Sequence, residues 1–320
     1  MESHRAPRRR RARSPRRRPL LCTALASAVI VGGAAAASAY VKAQAHADGG
    51  AVSSQSSATP SAPAPVSEEA SVEPAAEPSA DRNALLAKAM KAVAVEDGAD
   101  VAVAVMESDS GERAVYGDGT FDTASIVKVD ILATLLLQAQ DAGRHLTAQE
   151  RTYATAMIEN SDNASASALW TAIGQADGLD TANKRFGLTD TAGGDGALWG
   201  LTRTTAADQL ALLQQVFGDT SQLSKASRGY LRGLMGDIAE DQRWGVSAAA
   251  DGAQWALKNG WLPRSTTGLW DINSIGRVTA GGHRCLVVAL SNGNSTKAKG
   301  VLLVEAAARA AVSVFADEPA

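Results

Sequence analysis

From Ile126 to Leu137 an apolar run is broken only by Lys128, Asp130 and Thr134, and the stretch DAGRH at 141–145 stops it. A segment so apolar on every face reads as a helix buried on all sides, and the rest of the domain has to be built around it. Ser125 and Lys128 stand at its start, three residues apart, which predicts that they share a face of its first turn. Burying a lysine costs on the order of several kcal/mol unless it is paired or its pKa falls. Asp130, inside the same run, finds no role from the sequence.

The flanking stretches supply strands as well as helices. DRNALLAKAMKAVAVEDG predicts a helix capped by Asp81 and ended by Gly98. VAVAVME and RAVYG, on either side of SDSGE, predict a hairpin. The middle, about 123 to 240, is helical, with one helix capped by Thr147 and Glu150 three residues on. QWALKNGWL, GLWDINSIGRVT and HRCLVVALSNG predict three late strands, and TKAKGVLLVEAAARAAVSVF a final helix. The two ends thus predict one antiparallel sheet backed by terminal helices, and the middle a helical lobe. This is an α+β fold.

Charge is unevenly placed. Of 31 basic and 34 acidic residues, nine arginines and one acid fall in the first 18 positions, so the remainder is anionic. LLCTALASAVIVGGAAAASAYV follows at 20–41. Basic, then apolar, then small residues predict an export signal or membrane anchor over 1–47, and no nucleic-acid partner. Residues 48–80 are rich in Ala, Pro, Ser and Glu, and so few large apolar side chains cannot offset chain entropy, which predicts a disordered linker. The domain is then 81–320, outside the cytoplasm, touching a membrane only through the N-terminal segment, and expected to be a monomer. Its one cysteine, Cys285, reads as a small buried hydrophobe, so no intrachain disulfide is expected. His145 and His283 lie in turn-like stretches without metal-ligand spacing, and neither a metal nor a cofactor is expected.

A serine hydroxyl is a weak nucleophile until a neighbour takes its proton, and a lysine in a low-dielectric pocket can take it. The helix start adds positive potential for a developing anion. Ser125 and Lys128 therefore read as nucleophile and base, against the plainer alternative of a capping serine and a lysine reaching for water. MIENSDNASASALW carries Ser161, Asp162 and Asn163 between two helical stretches. A loop serine there can relay a proton, and the Asn163 amide can hold a carbonyl; taken alone, the stretch is a well-capped turn. ALKNGWL sets Lys258, Asn259 and Gly260 in an apolar strand, where a lysine is costly unless it faces a site and a glycine permits close approach.

S-x-x-K, S-D-N and K-x-G in this order, on a helix, an inter-helix loop and a late strand, are more specific together than any one alone. With FDTASIVKV and MIENSDNASA the nearest stretches, the chain over roughly 81–316 resembles the class A serine β-lactamases and the penicillin-binding proteins. The resemblance implies their fold, with the active site between lobe and sheet, and a small-molecule β-lactam or cell-wall peptide-like substrate. It implies that Ser125 is acylated, Lys128 helps deprotonate it, Ser161 shuttles the proton and Lys258 binds a substrate carboxylate. Asn163, Asn259, Gly260 and Trp261 would line the substrate site, and the N–H groups of Ser125 and Trp261 would form the oxyanion hole.

Three departures bear on the chemistry. K-N-G lacks the hydroxyl of the family's third motif. Ser125 and Ser161 are only 36 residues apart, which implies a missing loop on one rim of the cleft. KRFGLTDTAGGDGALWGLTRTTAADQ has no glutamate where class A enzymes carry the one that activates the deacylating water, leaving Asp190, Asp195 and Asp208. Slow deacylation is expected. Two other readings stay open: a cell-wall peptidase or esterase on the same nucleophile, and a non-catalytic ligand- or wall-binding module on the same scaffold.

Overall fold

The computed structural model describes residues 81–316, and the expected export segment and linker lie outside them. α1 (Arg82–Met90) is capped by the Asp81 carboxylate, which accepts from the N–H groups of Asn83 and Ala84. The helix ends well before Gly98, which corrects the expectation. The N–H groups of Lys91, Ala92 and Val93 close tight turns onto Lys88, Ala89 and Met90, and the chain then turns back to feed the sheet. β1 (Asp100–Glu107) and β2 (Arg113–Tyr116) form the expected hairpin. After β3 (Phe121–Asp122), a 3-10 turn at Ala124–Ile126 leads into α2 (Val127–Asp141). α3 (Ala148–Glu159) starts on the expected capping box of Thr147 and Glu150. α4 (Asn163–Ala172), α5 (Gln175–Phe186), β4 (Arg203–Thr204), α6 (Ala206–Phe217) and α7 (Lys225–Gly236) complete the middle of the chain. Three long strands, β5 (Trp255–Pro263), β6 (Trp270–Ala280) and β7 (His283–Asn294), precede α8 (Lys297–Ser313).

The main sheet runs β2-β1-β7-β6-β5 and is antiparallel throughout, so the first hairpin docks beside the last strand. β3 and β4 form a separate ribbon that pairs Phe121 with Thr204 and Asp122 with Arg203. Two residues each are too few to leave a period-two signal in the sequence. The ribbon ties the approach to α2 to the segment before α6.

Alternation along the strands divides the core. Ala102, Ala104, Leu286, Val288 and Leu290 face the helical lobe, whereas Val103, Val105, Cys285, Val287 and Ala289 face α1 and α8. α2 is the axis of the first core, buried along nearly its whole length, so its three polar interruptions are carried inside.

Asp130 is 1% exposed, and neither carboxylate oxygen meets a described group in hydrogen-bonding geometry. Burial pushes its pKa up to about 7, with the Asp180 and Asp208 charges adding to the rise and the adjacent Asn183 amide opposing it. The folded state therefore keeps a proton that the unfolded chain releases between about pH 4 and about pH 7, and stability falls as pH rises through that window. Asp130→Asn removes this linkage. The variant is expected to gain up to about 4 kcal/mol over the wild type at about pH 8 and little near pH 4. Thermal denaturation across that range checks it, and parallel Tm-against-pH curves for the two proteins would contradict the assignment.

Candidate active site

Ser125 sits on the 3-10 turn ahead of α2, and Lys128 lies inside the helix itself. Ala124, just before Ser125, has φ +47°, and Ser161 has φ +55°. Left-handed backbone at non-glycine residues costs on the order of 1–3 kcal/mol and persists where the surroundings fix it.

What fixes Ser161 is a pair of lysines. Lys128 is fully buried, and its Nζ donates to the Ser161 carbonyl at 2.7 Å, to Ser161 Oγ at 3.1 Å and to Asn163 Oδ1 at 2.8 Å. Its hydrogen bonds run across to the α3–α4 loop and not to Ser125. Lys258, equally buried, donates from Nζ to the same Ser161 Oγ at 3.1 Å. It also donates to the Asn259 carbonyl at 2.8 Å and to Gln242 Oε1 at 3.5 Å. Both acceptor positions of the Ser161 hydroxyl are therefore taken, which leaves its own proton free for a group in the cleft.

The electrostatics follow from burial. Loss of water pulls the Lys128 pKa down to about 7, with the Asp162 carboxylate holding it up in part. Lys258 is held well below its usual range, first by burial and then by the Lys128 charge. Asp162 caps α4 by accepting from the Ser165 N–H at 2.7 Å, and its bonds to Ser165 keep it ionised. The S-D-N stretch is thus both a helix cap and the seat of the lysine pair.

β5 brings the last motif in. Ala256 on this strand faces the lobe core and Leu257 the other, so Lys258 and Gly260 look toward the lobe. A Cβ on Gly260 would lie 2.7 Å from the Thr123 carbonyl and 2.8 Å from Ser125 N, so only glycine lets the strand press against the serine turn. The expectation for Asn259 is corrected. Alternation turns its side chain away from the cleft, where it is 1% exposed, and Nδ2 donates to the carbonyls of Gln242 at 2.7 Å and Trp244 at 3.0 Å.

The cleft beside Ser125 encloses about 270 Å³, and its lining includes Asn163, Leu198, Trp199, Trp261 and Leu262. The Trp199 ring lies 4.9 Å from Lys128 Nζ, and its Nε1 donates to Ser167 Oγ at 3.1 Å. The aspartates from the same stretch lie elsewhere. Asp208 is buried and accepts from the Asp190 N–H at 2.8 Å and the Thr191 hydroxyl at 2.7 Å, while Asp190 and Asp195 are exposed. None of the three lines the cleft. Sequence reasoning missed Trp199 and Gln242. A large aromatic inside the glutamate-free stretch was a usable signal for the first, whereas Gln242, on a short 3-10 turn, left none.

Residues 136–315 match the family described as the beta-lactamase enzyme family. The chain belongs to that family. Proteins of Mycobacterium tuberculosis and Mycobacterium bovis named "Putative lipoprotein LppW" are 26% identical over 175 residues, 52% of this chain and 55% of theirs. The chain thus spans about half the length of these curated relatives.

Solved structures share the fold. A mutant of PBP-A, in acyl-enzyme complex with penicillin-G, aligns at TM-score 0.61 and 20% identity, over 72% of this chain and 96% of that one. A beta lactamase from Xanthomonas campestris aligns at 0.58 and 21%, over 73% and 97%. The TLA-3 extended-spectrum beta-lactamase aligns at 0.63 and 14%, over 73% and 98%.

In this β-lactamase-like fold Gly260 meets the serine turn at a distance that leaves no room for a Cβ. Gly260→Ala is expected to keep the far-UV circular dichroism of the wild type. A displacement of about 1 Å should slow modification of Ser125 by a fluorophosphonate on the order of a hundredfold. Labelling within about threefold of wild type would show that the turn tolerates the methyl group.

Proposed function

We propose that this chain is an extracytoplasmic serine hydrolase acylated at Ser125 by β-lactams or related amides and esters, and slow to release the acyl group. The Ser161 hydroxyl held between two buried lysines carries this reading. A scaffold kept only for binding has no use for two desolvated amines, each costly to bury, whereas acyl transfer needs an amine that is neutral near pH 7.

In the proposed step Ser125 Oγ attacks the carbonyl carbon and its proton passes to Lys128 Nζ. The new C–O bond forms a tetrahedral oxyanion beside the N–H groups of Ser125 and Trp261. The C–N or C–O bond to the leaving group then breaks. The leaving atom takes a proton from Ser161, which is resupplied from Lys128, so the proton lost by Ser125 ends on the leaving group. Lys258 holds Ser161 in place for this transfer. Deacylation needs a base to position water, and on the loop side of the cleft Lys128 faces the Trp199 indole, with no carboxylate in the lining.

Intact-protein mass spectrometry with a penicillin should show one adduct that persists for many turnovers' worth of time, absent in Ser125→Ala. Because Lys128 must be neutral to accept the proton, the rate of adduct formation should rise with pH and reach half its maximum near pH 7. Fast turnover without an adduct, or an adduct that survives Ser125→Ala, would sink the reading.

The extracytoplasmic placement is supported by the arginine cluster and the apolar stretch behind it, and by the lipoprotein name of the mycobacterial relatives. We propose that 1–47 exports or anchors the chain, that 48–80 tethers it and that 81–320 is the hydrolase domain. A periplasmically activated reporter fused after residue 81 should be active outside the cytoplasm. Retention of the fusion in the cytosol argues against this placement.

A further inference from the structure

The β5 side of the cleft has no group left to receive a carboxylate. Lys258 carries three N–H donors as an ammonium, and Ser161 Oγ, the Asn259 carbonyl and Gln242 Oε1 engage them. Asn259 Nδ2 carries two, and the carbonyls of Gln242 and Trp244 engage both. Its Oδ1 is buried and is an acceptor, which would repel an anion. Lys258 is 0% and Asn259 1% exposed, so neither reaches the cleft without breaking these bonds. As the uncharged amine that burial favours, Lys258 keeps only two N–H donors for the same three acceptors, so in either state none is spare for an anion.

The lining itself contains no charged side chain, and its polar side chains are those of Ser125 and Asn163. Leu198 and Trp199 flank Ser125 from the loop, and Trp261 and Leu262 from the strand. Besides the buried Lys128 behind Trp199, a second cation stands near this wall, on the strand side. Lys297, at the start of α8, holds its Nζ 4.2 Å from the Trp261 ring and 6.0 Å from that of Trp244. It rests on indole faces and is not part of the lining.

Building on the reading of Ser125 as nucleophile, we propose that the acyl donors this cleft selects are neutral, apolar amides or esters with no carboxylate beside the scissile bond. An ionised carboxylate placed there exchanges water for indole and leucine surface and meets only neutral donors, the Ser161 hydroxyl and the Asn163 amide, which is unfavourable for a full charge. Apolar flanks of a donor gain contact with two aromatic rings. The bond changes are those of the acylation step above, so only the choice of donor differs.

The test compares benzylpenicillin with its methyl ester, which share the reacting ring and differ in one charge. Second-order rates of adduct formation on Ser125 are read by intact-protein mass spectrometry on the full chain. The ester is expected to react at least as fast as the acid. A site built to hold the carboxylate penalises its loss heavily, so an ester more than about tenfold slower overturns the proposal. A second pair, p-nitrophenyl butyrate and p-nitrophenyl hemisuccinate, moves the comparison to esters, and the butyrate is expected to be faster.

Lys297→Ala should leave the acid-to-ester ratio unchanged. A selective loss of rate with the acid in that variant makes Lys297 a carboxylate reader and also overturns the proposal. Failure of all four compounds to modify Ser125 is a different result, since it removes the nucleophile assignment itself, whereas modification with the acids preferred removes only the donor preference.

Discussion

Ser161 Oγ accepts from Lys128 and Lys258 at 3.1 Å each, and this shared hydroxyl is the point on which the rest of the structure turns. Two amines drawn to one oxygen inside a protein cannot both remain comfortably charged, because each is desolvated and each repels the other. The molecule meets this by lowering both pKa values and by surrounding the amines with carbonyl and amide oxygens. One lysine comes from the lobe and the other from the sheet. The site therefore forms only when the two halves of the fold are closed on each other, and Gly260 sets how closely they meet.

The same arrangement gives the cleft a mainly apolar lining. Lys128 faces the Trp199 ring, and Trp261 and Leu262 close the strand side. The loop carrying Trp199 is drawn in on itself: a Cβ on Gly194 would lie 2.1 Å from the Leu198 carbonyl, and the Gly196 carbonyl accepts from Trp170 Nε1 at 2.7 Å. With its backbone so constrained, the loop presents an indole to the lysine and keeps its aspartates outside. On the function proposed above, a cleft built this way acylates more readily than it releases, and favours donors that tolerate low polarity.

Asp130 shows a different use of burial. It lies two residues from Lys128 on the same helix, where the lysine finds oxygen partners and the aspartate finds none. A carboxylate in that position is pushed up to titrate at about pH 7, so the axis of the helical core is itself sensitive to pH. Cys285, buried in the second core, is likewise pushed away from its ionised form, to about 12, and acts as packing.

Much of this was written in the sequence. The apolar run of α2, the capping box at Thr147 and Glu150, the late strands and the three short motifs each carry a local signal that survives without neighbours. Their order along the chain was enough to pair the ends into one sheet and to suggest a nucleophile. Where α1 stops, which way Asn259 points and what faces Lys128 were decided by tertiary structure. Strand alternation turned Asn259 inward, the need to re-enter the sheet ended α1 at Met90, and a folded loop laid Trp199 over the lysine. A motif names residue types at fixed spacing, and that spacing is local. The partner of a buried charge is set by segments distant in the chain, and only their packing together decides it.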